Sequence, residues 1–91
     1  MENTIINVPI QAISVCSTIG DMTPLRFRYE DDRHQLQTVC ISRVIAVKPT
    51  VLAGINCLEY TCAADCGGIE KLCILKYNVL NHTWILVRML S

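Results

Sequence analysis

Apolar and polar residues alternate along much of this chain with a period of two, and the pattern is cleanest between Leu58 and Tyr77, around Gly67-Gly68. Successive side chains of a strand point to opposite faces. Counting outward from a two-residue turn at Gly67-Gly68 sets Leu58 opposite Tyr77, Glu59 opposite Lys76, Tyr60 opposite Leu75 and Cys62 opposite Cys73. One face then collects Leu58, Tyr60, Cys62, Ala64, Ile69, Cys73, Leu75 and Tyr77. The other collects Glu59, Thr61, Asp65, Glu70, Lys76 and Asn78, with Leu72 and Ile74 as exceptions. This is the pattern of a half-buried antiparallel hairpin with an opposite-charge pair on its wet face. The glycine pair supplies the positive φ angles that so tight a turn demands.

The remaining segments read the same way. In residues 5–17, Ile6, Val8 and Ile10 lie on one parity and Ile13 and Val15 on the other, which predicts a bulge or bend around residues 9–12 with Pro9 at an edge. A turn at residues 19–22 leads through Thr23-Pro24 into a strand over residues 25–30. There Leu25, Phe27 and Tyr29 face one way and Arg26, Arg28 and Glu30 the other. After a polar turn at residues 31–34, a β-branched stretch covers residues 36–47. Val39, Ile41, Ile45 and Val47 share a face there, and Arg43 interrupts it at an edge or a bend. Lys48-Pro49-Thr50 is expected to break this strand, with a short helix over residues 51–55 as a weaker feature. A last strand over residues 83–90 follows a turn at Asn81-His82 and is apolar on both faces, which leaves its core side open. About six antiparallel strands with short connections predict an all-β meander curled into a small, partly open barrel, SH3-like or similar.

Composition bounds this picture. A chain of 91 residues is one domain, 1–91, and its 52% apolar content is enough for a core, which excludes a disordered chain. A formal net charge of zero argues against a protein that coats nucleic acid or an anionic membrane. It also leaves little electrostatic barrier to self-association, so a homodimer is an open expectation. No apolar run approaches the ~20 residues of a membrane-spanning helix. The N-terminal stretch has no basic region and is interrupted by Asn7, Pro9 and Gln11. It does not read as a signal peptide, and a cytoplasmic location is expected.

Six cysteines, at 16, 40, 57, 62, 66 and 73, are the main candidate chemistry. In a secreted chain they would imply a disulfide framework. In the cytoplasm, reduced thiols packed into the core are expected instead. Cys57, Cys62, Cys66 and Cys73 are the candidate metal ligands, and the Cys62/Cys66 spacing suits structural zinc. The hairpin register, however, puts Cys57 on the face opposite Cys62, so no metal site is expected. A nucleophilic cysteine needs a neighbouring base. The two histidines, His34 and His82, lie in turns without a catalytic signature, and no phosphate-cradling glycine loop is present. The expectation is a non-enzymatic protein without a cofactor.

The residues left to carry a partner surface are the strand-borne cations Arg26, Arg28 and Arg43, with Trp84, a residue type enriched at interface hot spots that serves equally as a core anchor. The reading is a binding or accessory module for a protein partner. The alternatives are a nucleic-acid-binding accessory module in DNA repair and a small zinc protein built on the cysteine cluster.

From Pro24 onward the layout resembles a group of short, uncharacterised bacterial all-β proteins. The resembling elements are Pro24-x-x-Phe27-Arg28-Tyr29, then Val39 with Val44-Ile45, Tyr60, the glycine turn, Leu75-x-Tyr77 and Trp84-x-Leu86-x-Arg88. Some similar modules are encoded beside lesion-bypass polymerases, so the resemblance implies a bacterial source and a DNA-repair accessory role, without catalytic residue or cofactor. The cysteine content departs from that group.

Overall fold

The computed structural model describes residues 3–90, which form six antiparallel strands. These are β1 (Asn3–Cys16), β2 (Met22–Glu30), β3 (Leu36–Leu52), β4 (Ile55–Cys66), β5 (Ile69–Asn78) and β6 (Thr83–Leu90). Each strand pairs with the next, and β6 returns to β1, so the meander closes into a six-stranded barrel. No helix among the described residues is long and apolar enough to cross a membrane.

The β4–β5 hairpin has the register its alternation predicts, including Leu58↔Tyr77, Glu59↔Lys76, Tyr60↔Leu75 and Cys62↔Cys73. Gly67 and Gly68 both take positive φ, 66° and 88°. That is the backbone of a type I′ turn, whose twist matches the flanking strands. The Asp65 carboxylate accepts the Gly68 N–H at 2.8 Å and closes the turn. The β3–β4 connection is a second such turn at Ala53-Gly54, with φ of 52° and 80°, in place of the expected short helix. Lys48-Pro49-Thr50 does not break β3 either. Pro49 pairs with Leu58 of β4, and a proline is tolerated because β3 has no second partner strand at that position.

The core is built from Phe27, Val39, Tyr60, Cys62, Ala64, Cys73, Leu75, Tyr77, Trp84 and Leu86. Trp84 lies between two tyrosines, with ring centroids 4.8 Å from Tyr77 and 5.1 Å from Tyr60, in the tilted geometry aromatic pairs favour. On β6, Trp84, Leu86 and Met89 face the core. A register shift between Leu86 and Arg88 moves the inward parity by one residue.

Bulges are where the strict alternation fails. On β1, Val8, Ile10 and Ala12 all pack on the core, so the inward parity runs straight through residues 9–12. Ile13 and Val15 are about half exposed. The irregularities of β1 fall at residues 5–8 against β6 and at Ile13/Ser14 against β2. On β2, Ile13 faces Arg26 but Ser14 faces Pro24, so Leu25 is the extra residue. It turns outward, and Pro24 takes the buried place expected of it. On β3, shifts at residues 41–43 and 44–46 bring Val44 inward, while Ile45 and Val47 are about half exposed. Arg43 lies between these two bulges.

Candidate partner-binding surface

The β2–β3 seam is joined over only part of its length. Rungs run from Arg26↔Cys40 to Glu30↔Leu36, and none joins β2 to β3 beyond Cys40. From residue 41 to residue 52, β3 is laddered to β4 alone. Its other edge therefore carries backbone donors and acceptors without a strand partner. Inside the gap, the Tyr60 hydroxyl reaches over from β4 and donates to the Met22 carbonyl at 2.6 Å. Burial raises the Tyr60 pKa, which keeps that donor protonated.

Where the three strands do pair, their outer faces line up in two rows. One row is Gln11–Arg28–Thr38 and the other Ile13–Arg26–Cys40. All six residues are exposed. Around them lies a shallow cleft of about 510 Å³, lined by Gln11, Ile13, Arg26, Arg28 and Thr38 over the backbone of Ala12 and Phe27. The alternation of β2 puts both guanidinium groups on one face, and β1 and β3 supply the walls.

The charge around the cleft is uneven. Among the described residues, Arg26 and Arg28 enter no ion pair, whereas Arg43 meets Glu70 at 3.8 Å and Lys48 meets Glu59 at 3.3 Å. Glu30 follows on the same face of β2 but turns to His34, at 3.6 Å. Asp31 is used up by the turn itself. It accepts the backbone N–H of Gln35 and of Arg33 and the side-chain amide of Gln37, each at 2.9 Å. Those hydrogen bonds, the one from Gln35 first, hold its carboxyl below the usual aspartate range.

Two of the four residues expected to form a partner surface are thus brought together, Arg26 and Arg28. Arg43 is on a different part of the wall, beside Glu70. Of the two roles open to Trp84, the core anchor is the one it takes, not the partner surface: it is 6% exposed, because the β6 alternation turns it inward between Tyr60 and Tyr77. Gln11 and Thr38 had no signal in the sequence, since only the pairing of β1 and β3 with β2 sets them beside Arg28.

None of the six cysteines is disulfide-bonded. Cys57, Cys62 and Cys73 are buried, Cys66 is partly so, and Cys16 and Cys40 are exposed rather than packed in the core. Cys62 and Cys73 face each other across the β4–β5 ladder. The hydrogen bond with Cys62, and then burial, hold the Cys73 thiol far above its ordinary range. Cys57 is on the opposite parity and its Sγ lies 3.7 Å from the Ile55 carbonyl. No group of three or more potential ligands converges to hold a metal among the described residues. His82 is held by Tyr77, Oη to Nδ1 at 2.8 Å, which locks the β5–β6 turn. No protein-family model, no curated protein and no solved structure matches this chain.

Proposed function

We propose that this protein is a non-enzymatic binding module that takes up an extended segment of a protein partner along the free edge of β3. The observation that carries this reading is the unpaired run of β3 beyond Cys40, flanked by the exposed Ile45 and Val47. An open edge offers a ladder of main-chain hydrogen bonds, and alternate side chains add apolar contact. Lys48 and Pro49 lie within it, and two bulges interrupt it. Such features guard an edge against indiscriminate pairing and leave a short stretch for a chosen strand.

Peptides selected from a random display library against the purified protein test the reading. The expected result is slowed amide exchange in residues 41–48 when a selected peptide binds, and loss of binding in Val47→Lys with the fold retained. A doubled mass at rising concentration, with the same amides protected, identifies the partner as a second copy of the chain. Protection confined to other strands overturns the reading.

A further inference from the structure

We propose that the cleft between β1, β2 and β3 is a carboxylate-binding site, at which an acidic peptide segment of the partner engages Arg26 and Arg28. The inference deepens the reading above and rests on it for the kind of partner.

Among the described residues, the cleft lacks a counter-charge for its two arginines. Two exposed guanidinium groups lie on one strand face without an acidic partner among the described residues, while the cations of the neighbouring β3, Arg43 and Lys48, are matched. Residues i and i+2 of a strand are spaced by roughly 7 Å along it, so the two arginines suit carboxylates on alternate residues of an extended chain. Each guanidinium presents a planar fork of donors that fits a carboxylate bidentately. The flanking Gln11 amide and Thr38 hydroxyl add neutral donors, and Ile13 beside Arg26 gives an apolar wall. Of the carboxylates on this face, Glu30 is directed to His34, and Asp65, which follows Cys40 in the Arg26 row, accepts the Gly68 N–H.

Two further observations select a peptide over a nucleic acid. Single-stranded nucleic acid is held by aromatic rings on which bases stack. Phe27, Tyr60, Tyr77 and Trp84 are all core residues, and Tyr29 packs against them. The cleft is also continuous with the β3 edge: Arg26 pairs with Cys40, the last rung before β3 becomes free. A strand added to β3 therefore ends beside Arg26, where an acidic continuation meets both arginines.

Fluorescence anisotropy with a labelled oligo-glutamate peptide, and with a labelled oligothymidylate of matched charge, tests the proposal. The peptide is expected to bind the wild-type protein in low salt. Arg26→Ala and Arg28→Ala are each expected to weaken it by about tenfold or more, the scale of a charge-assisted hydrogen bond. Arg28→Lys should fall between wild type and alanine, because the charge stays and the fork is lost. Arg43→Ala should leave oligo-glutamate binding unchanged. All these positions are exposed, and circular dichroism checks that each variant folds. Tighter binding of the oligothymidylate overturns the proposal in favour of nucleic acid. No binding of either probe, or equal losses in Arg43→Ala and Arg26→Ala, overturns it outright. Val47→Lys separates the two readings: loss of the selected peptides with oligo-glutamate binding intact keeps both. Selected peptides that ignore Val47→Lys remove the strand-addition reading and leave the cleft standing.

Discussion

The two halves of the barrel differ in how they are held. From β4 to β6 the ladders are long, and the β4–β5 register runs from Cys57↔Asn78 to Cys66↔Ile69 without a shift. This half contributes Tyr60, Cys62, Ala64, Cys73, Leu75, Tyr77, Trp84 and Leu86 to the core cluster, against Phe27 and Val39 from β1 to β3. The β1–β3 half is bulged at Leu25 and twice in β3, is joined across β2–β3 over residues 26–30 only, and carries the cleft. Burial and regular pairing concentrate stability in one half, and the less constrained half is free to present unpaired groups. Tyr60 connects them, because its ring belongs to the packed half and its hydroxyl holds the Met22 carbonyl of the other.

The largest expected effect tests that asymmetry directly. Leu75 and Leu86 are fully buried, so Leu75→Ala or Leu86→Ala should cost about 2–5 kcal/mol in denaturant unfolding. Ile13, at 48% exposure, should cost within about 0.5 kcal/mol when changed to alanine. Equal losses at Leu75 and Ile13 would dissolve the distinction between the halves. Tyr60→Phe comes next. It keeps the ring and removes the hydrogen bond to Met22, so a loss of about 1 kcal/mol is expected. Amide exchange should quicken near residues 22–25 and stay slow across β4–β5; a uniform change would mean that the seam is not a separate unit.

Alkaline pH should act on the packed half. The Cys73 thiol is raised by its hydrogen bond with Cys62 and by burial, against a lowering of Cys62 by the same bond, and Cys66 is raised by burial. A raised folded-state pKa means that the unfolded chain gives up its proton first. This contribution is full below the unfolded thiol pKa of about 8.5 and fades as pH rises through the folded value. The urea midpoint should therefore fall above about pH 8.5, and Cys73→Val, which keeps the volume, should flatten that fall. The smallest effect belongs to the other half. Asp31 has a lowered pKa, first through the Gln35 N–H, so its contribution is present above the unfolded value of about 3.9 and is lost as pH falls through the folded one. Asp31→Asn should flatten the acid limb slightly and loosen the β2–β3 turn, read as faster exchange at Arg33 and Gln35. An acid limb unchanged by Asp31→Asn would remove this turn from the pH response.

Legibility in the sequence followed the same division. The β4–β5 hairpin could be read in register because Gly67-Gly68 admits a type I′ turn and the inward positions Leu58, Tyr60, Cys62, Ala64, Cys73, Leu75 and Tyr77 agree with it; beside the turn Ile69, on the same face, is 63% exposed. The last strand had the right bounds but no readable face, since Ile85 and Val87 are as apolar as Trp84 and Leu86. The bulges were invisible for a physical reason: one extra residue inverts parity without leaving any residue type as a mark. Leu25 and Ile45 were consequently assigned inward.

Of the candidate site, the alternation of Arg26, Phe27 and Arg28 was enough to put both arginines on one outer face, because a strand's period of two is a local property of the backbone. Trp84 stayed open between core and interface because an aromatic side chain serves either equally well, and only its surroundings decide between them. Local backbone rules determined the strands, the Gly67-Gly68 turn and the all-β class. Tertiary structure alone decided the placement of Gln11 and Thr38 beside Arg28, the acid partners of Arg43 and Lys48, and the open edge of β3. These are contacts between strands far apart in the chain, set by register and barrel closure, and no short-range pattern encodes them.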